Sequence, residues 1–141
     1  MRLTRYTDYA MRVLLKLGAE PDRLHSIAEI ADAYRISQNH LMKITNDMVN
    51  AGYLKSVRGR NGGIMLARSP AEINLGEVIR HTEQEFDLVD CAHCIIAPAC
   101  GLTDALNKAV AAFLAVLDGY SLADLLGRRD MIGALLSAHA G

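Results

Sequence analysis

The 141-residue chain has no tryptophan, only two phenylalanines and five tyrosines. An aromatic core is excluded, and with 51% hydrophobic residues the interior must be mostly aliphatic. No apolar run approaches the roughly 20 residues of a membrane span, so no membrane partner is expected. The opening Met1-Arg2-Leu3-Thr4-Arg5 has no apolar stretch of the secretory kind, and a cytoplasmic location is the expectation. Paired carboxylates, a nucleophile–base set and a phosphate loop placed in a cleft are all missing, which speaks against an enzyme. Cysteine is absent everywhere except Cys91, Cys94 and Cys100, a C-x2-C-x5-C run. Three thiols are an odd number for a disulfide framework and one short of a closed tetrahedral Cys site. In a reducing compartment such clusters more often bind metal or do redox work.

Charge of one sign is scarce in each half. Residues 1–69 carry eleven Lys and Arg against six Asp and Glu, a net +5, and residues 70–141 carry four against ten, a net −6. A basic half suggests a polyanion as partner; ordinary scatter of surface charge is the blander account.

What is present follows helical rules. Leu3, Tyr6, Ala10, Val13, Leu14 and Leu17 recur at helical spacing, so residues 3–19 read as an amphipathic helix. Ser26-x-x-Glu29 is a capping box for a second helix, and Ser37 an N-cap for a third that stops at Gly52. Two short helices, a tight turn and a polar lead into the second make a helix-turn-helix, whose second helix enters the major groove. Ser37, Gln38, Asn39 and His40 hold the positions that face base edges, and Lys43 suits a phosphate. A plain helical hairpin with a polar face fits these residues as well. Two short strands follow, Tyr53–Val57 and Ile64–Leu66, joined by a glycine-rich turn with Arg58 and Arg60. A wing after a helix-turn-helix shifts the balance to DNA binding. Asn74-x-x-Glu77 caps a short helix, and Ser121-x-x-Asp124 another.

Beyond Cys100, Leu102, Leu106, Ala109, Phe113, Val116 and Tyr120 are spaced as a coiled-coil seam would be. Packing on its own domain is one use for such a helix; dimerisation is the reading preferred here. The fold class is accordingly mainly α, a winged helix-turn-helix with a long C-terminal dimerisation helix and a cysteine-bearing loop. The expected divisions are 1–80 for the DNA-binding domain, 81–101 for the cluster loop, and 102–126 for the dimerisation helix and following turn. Residues 127–141 are expected as a tail, weakly helical at best and disordered towards its end.

Met1-Arg2-Leu3-Thr4-x-Tyr6-Thr7-Asp8-Tyr9-Ala10, the Arg58-Gly59-x-x-Gly62-Gly63 wing and a three-cysteine loop before a long helix make the chain similar to a known family. It resembles the winged-helix iron–sulfur transcriptional regulators of the IscR/NsrR type over roughly residues 1–126. Cys94-x-Ile96-x-Pro98-Ala99-Cys100 and Asp118-Gly119-Tyr120-Ser121-Leu122-Ala123-Asp124-Leu125 look most like the NsrR branch, nitric-oxide-sensing repressors. The His that IscR-like members carry after the third cysteine is missing, since Gly101-Leu102-Thr103-Asp104 follows instead. The two residues between Cys91 and Cys94 are fewer than the NsrR branch usually has.

The resemblance implies an iron–sulfur cluster, expected as 4Fe–4S, on Cys91, Cys94 and Cys100, with Asp8 of the partner subunit as fourth ligand. A 2Fe–2S cluster remains an alternative, as does zinc on the same thiols with His93 or Asp8, or a Cys91–Cys94 thiol switch. It further implies a homodimer on a palindromic operator in double-stranded DNA, with Arg2 added to the DNA-binding set, and nitric oxide as the signal for release. For Asp8 the competing account is a surface ion pair with Arg12 or Arg5. An iron, cluster-status or redox signal is the alternative within regulation. A small electron carrier would have no use for the wing.

Overall fold

The computed structural model describes residues 1–140. Helix α1 runs Arg5–Ala19 rather than from residue 3, because the Thr4 hydroxyl accepts the Thr7 amide at 3.3 Å and sets the N-cap. Ala10, Val13, Leu14 and Leu17 fall on one face of α1 and are at most 1% exposed. Fully burying a leucine is worth about 1.5–3 kcal/mol, so this stripe organises the core. Helix α2, Ile27–Tyr34, is capped by Ser26, which accepts the Glu29 amide at 3.1 Å. The expected capping box closes on one side only, because the Glu29 carboxylate turns outward to Arg23.

The turn between α2 and α3 (Gln38–Asn50) carries a strained residue. Arg35 is left-handed, φ 55° and ψ 47°, and the Ile36 amide bonds back to the Ala31 carbonyl at 2.9 Å. A side-chain-bearing residue in that region costs roughly 1–2 kcal/mol. Arg35→Gly is therefore expected to raise stability by about 0.5–1 kcal/mol after the extra unfolded-state entropy of glycine. A melting temperature that falls in this variant would show that the Arg35 side chain contributes more than its strain costs.

Ser37 occupies the N-cap position of α3 as expected, but its hydroxyl makes no capping bond and its side chain is exposed. Leu41, Ile44 and Met48 turn into the core, and Gly52 supplies the stop with φ 86°. Strands β1 (Leu54–Val57) and β2 (Gly63–Leu66) form an antiparallel wing with Leu54 opposite Leu66 and Val57 opposite Gly63. Two backbone bonds of 2.9 and 2.8 Å between His25 and Ile64 fasten the wing to the segment before α2. Gly63 permits this approach, since a Cβ there would stand 2.6 Å from the His25 carbonyl oxygen.

Helix α4, Leu75–Thr82, follows a short turn at Pro70–Glu72, and Asn74 caps it as expected. The long α5, Leu102–Asp118, lies against α4, with Asp118 held by Arg80 at 2.5 and 2.9 Å. The Ser121–Asp124 capping box at α6 (Leu122–Leu125) is complete in both directions. Leu122 is fully buried and Leu126 is 8% exposed, and both join the core formed by α1. Packing thus does not break at residue 80; the chain returns from α5 to finish the core of the DNA-reading half.

The stretch read from the sequence as a weakly helical tail carries more helix than its local pattern suggests. Residues Arg129–His139 form α7, which packs on α1 and α2, while Gly141 lies outside the described residues. Arg128 offers no side-chain cap to α7, so contact with the other helices, rather than a local signal, stabilises it.

Candidate nucleic-acid interface and cysteine loop

The first two turns of α3 put Gln38, Asn39, His40 and Lys43 in solvent on one element, next to the exposed Ser37. Beside them the first turns of α1 add charge. A hollow of about 540 Å³ is lined by Thr4, Arg5, Tyr6, Tyr9, His40, Lys43 and Ile44. The Tyr9 and His40 rings stand 6.2 Å apart across it. Arg5 is thus a cation beside the recognition helix that sequence spacing does not reveal, because the relation crosses elements. Arg58 and Arg60 are exposed on the wing. Arg2 is exposed too, but it lines the hollow around Asp8 and a groove with Phe86 and Phe113, not the one beside α3.

The cysteine loop begins at an anchor. Glu83, 8% exposed, accepts the Thr4 amide at 3.1 Å, the Thr4 hydroxyl at 2.9 Å and the Thr7 hydroxyl at 2.5 Å. Burial pushes its carboxyl up, but the bonds from Thr7 and Thr4 together outweigh that and hold it below the usual range. Glu83 therefore stays charged and ties the end of α4 to the first turn of α1. Hydrogen bonds to a charged group contribute about 1.5–3 kcal/mol, enough to make this joint a fixed point.

From there the chain runs through exposed Glu85, Asp87 and Asp90 into the cysteines. Three successive turns carry it onward, with the Cys94 amide on the Cys91 carbonyl, Ala97 on Cys94 and Cys100 on Ala97, at 3.2–3.4 Å. These tight turns keep Cys91, Cys94 and Cys100 within one compact loop. All three are free thiols, Cys94 exposed and the others half-buried. Cys91 Sγ lies 3.2 Å from the Thr103 hydroxyl in the first turn of α5. His93 is exposed.

Three soft sulfur donors on one loop, one exposed and two half-buried, suit an iron–sulfur cluster or zinc by donor type. They do not form a closed mononuclear cage, since the three sulfurs are not among the donor groups found within 4.8 Å of one another. Ligation of different irons has no need of such closeness.

Asp8 stands elsewhere. It makes the ion pair with Arg12, at 2.9 and 3.0 Å, and the guanidinium lies 5.9 and 5.8 Å from the Tyr9 and Tyr34 rings. Being exposed at both ends, this pair is worth at most about 0.5 kcal/mol. The hollow that Asp8 lines, about 570 Å³, is walled by Arg2, Arg5, Tyr9, Arg12, Tyr34 and Ile36 among others, and none of its walls is a cysteine. Within one chain, Asp8 and the cysteines are not brought together.

Among the described residues, the donors that do cluster within 4.8 Å are Glu20, His25 and Glu29. His25 is fully buried, donates Nε2–H to the Glu20 carbonyl at 3.0 Å and has no partner at Nδ1. Burial pushes its pKa down, which keeps the ring neutral. Arg23 bonds both carboxylates, and Lys16 Nζ stands 3.7 and 3.8 Å from them. Two cations already balance two carboxylates, so this is the ion-paired root of the wing and not a metal centre.

The outward face of α5 is apolar and partly open. Leu106, Val110, Phe113 and Leu117 are half-buried, whereas Leu102, Val116 and Tyr120 are 53%, 63% and 48% exposed. Among the described residues no helix is long and apolar enough to cross a membrane.

The geometry agrees with comparisons to known proteins. The chain is 51% identical to the HTH-type transcriptional regulator NsrR of Bacillus licheniformis, over 97% of this chain and 100% of that one. It is 49% identical to the protein of that name from Geobacillus kaustophilus over the full length of both. Among solved structures, the oxidized form of Staphylococcus aureus CymR superposes with a TM-score of 0.75 at 26% identity, covering 90% of this chain and 97% of that chain. T. potens IscR does so with a TM-score of 0.73 at 26% identity, covering 89% and 86%. The two NsrR relatives are named as transcriptional regulators, in keeping with the expectation of a non-enzyme. The pattern of the Rrf2 family, described as an iron-dependent transcriptional regulator, matches residues 3–128, and with a match of that extent the chain belongs to the Rrf2 family.

Proposed function

We propose that the protein is a homodimeric DNA-binding transcriptional repressor that senses nitric oxide through an iron–sulfur cluster and releases its operator on sensing it. The observation that carries this reading is the joint at Glu83. The segment leading to the three cysteines is tied to the same first turn of α1 that presents Arg5 beside the recognition helix. A change in the loop has a short mechanical route to the DNA-reading surface.

Cys91, Cys94 and Cys100 would hold the cluster, expected as 4Fe–4S. When bound, it supplies iron able to take nitric oxide. The partner subunit's Asp8 completes the ligand set, which is consistent with the separation of Asp8 from the cysteines inside one chain. Arg12 is poised to take Asp8 back as an ion pair when that carboxylate is free. The open face of α5 offers the second copy its surface, and two recognition helices then read the half-sites of a palindrome. The family's description as iron-dependent favours one further reading, in which the same loop reports iron or cluster status.

The test is a native mass spectrum of anaerobically purified protein, followed by a nitric oxide titration of operator binding. A dimer with iron and sulfide whose affinity falls with nitric oxide is expected. A zinc-only species, or an operator affinity indifferent to nitric oxide, would overturn the sensing reading; a response to chelator alone would select the iron-status reading.

A further inference from the structure

Resting on that reading, a second joint completes the route to the recognition helix. Asp47, in the last turn of α3, accepts two hydrogen bonds on one oxygen: Tyr6 Oη at 2.5 Å and His81 Nε2 at 2.8 Å. Tyr6 belongs to the first turn of α1, between Thr4 and Asp8. His81 belongs to the last turn of α4, two residues before Glu83. Among the described residues, these are the only side-chain hydrogen bonds that α3 makes to another element.

The neighbouring contacts aim the three groups. The His81 ring rests 6.1 Å from the Tyr53 ring at the start of the wing. Thr7 Oγ1 bonds Thr82 Oγ1 at 2.9 Å, next to the Glu83 anchor, so α1 and α4 move as a pair. Asp47 spans the junction of α3 with that pair. Its two donors share Oδ2, so a displacement of α4 by the loop cannot be absorbed at one bond without disturbing the other. Burial first, and then Asp47, raise the Tyr6 phenol, so it stays a donor.

We propose that Asp47 is a positioning residue: the Tyr6–Asp47–His81 junction transmits the state of the cysteine loop to the angle of the recognition helix. Asp47 faces α1 and α4 and makes no demand on DNA itself. Its role is distinguished from mere stabilisation by a ratio, the operator affinity of cluster-loaded protein divided by that of cluster-free protein. Couplings between sites are commonly about 5- to 150-fold.

The experiment measures this ratio for the wild-type full-length protein, Asp47→Ala, Tyr6→Phe and Asp47→Asn, with iron and sulfide counted in each. The ratio is expected to fall about fivefold or more in Asp47→Ala and in Tyr6→Phe at unchanged iron content. Asp47→Asn, which keeps an acceptor oxygen, should recover part of it. Tyr6→Phe removes a single hydroxyl and guards against a variant that does not fold. A wild-type ratio well above one that Asp47→Ala and Tyr6→Phe both retain, or an equal loss of affinity in both states, overturns the role of Asp47 alone. A wild-type ratio near one overturns the sensing reading, and this role with it.

Discussion

Cys94→Ala is expected to yield a folded chain that holds no iron–sulfur cluster. Cys94 is the middle and most exposed of the three thiols, and it enters the turn hydrogen bonds through backbone atoms that alanine also has. The backbone of the loop should survive the change, while one of three thiolates is lost. Removing even an outer partner of a metal ligand costs about 10- to 100-fold in affinity, so loss of the ligand itself should exceed that. Iron and sulfide per chain, measured after anaerobic reconstitution, should drop to background. The thermal melt should move little, because Cys94 is exposed and lies outside the core that Leu14, Leu17, Ile30 and Leu41 form. Wild-type iron and sulfide in this variant would assign the ligands to other residues.

The second large effect lies at the wing. Arg58→Ala combined with Arg60→Ala removes two exposed cations from the turn between β1 and β2. If both meet phosphates, the slope of log affinity against log salt should shrink by about 2. Affinity near physiological salt should drop on the order of tenfold, for operator and unrelated DNA alike. A loss confined to the operator would instead mean that one arginine reads a groove, as expected where a narrow minor groove attracts the guanidinium. Unchanged affinity and salt slope would remove the wing from the interface and strengthen the claim of an electron-carrier role. The wing's fold is a separate matter, since the His25–Ile64 bonds and the buried Leu54 hold it without either arginine.

The parts legible in the sequence are those governed by local rules. Caps at Ser26, Asn74 and Ser121, the stop at Gly52 and the wing strands lie at or within a residue of where spacing put them. So does the stripe of α1, because a 3.6-residue period states which face is buried. Relations between distant residues were not legible. Glu83 reads as one acid among several in a link, yet Thr4 and Thr7 make it a buried anchor. Nothing in the spacing of Tyr6, Asp47 and His81 announces that they meet. Helix α7 was missed because it lacks a side-chain cap and places Gly133 at its centre, so its order comes from packing on α1 and α2. The cysteine run is visible as a motif, whereas the tight turns that fold it into a compact loop are not.

The return of Leu122 and Leu126 to the core has a consequence for how the chain is made. During synthesis, α1, α2, α3 and the wing leave the ribosome first, but their hydrophobic interior stays open where those two leucines belong. Domains generally fold as units while the chain is being made, and this unit is not closed until residue 126 has emerged. By then the cysteine loop and all of α5 are already outside. A nascent chain thus cannot close this core before the cysteine loop and α5 have been made.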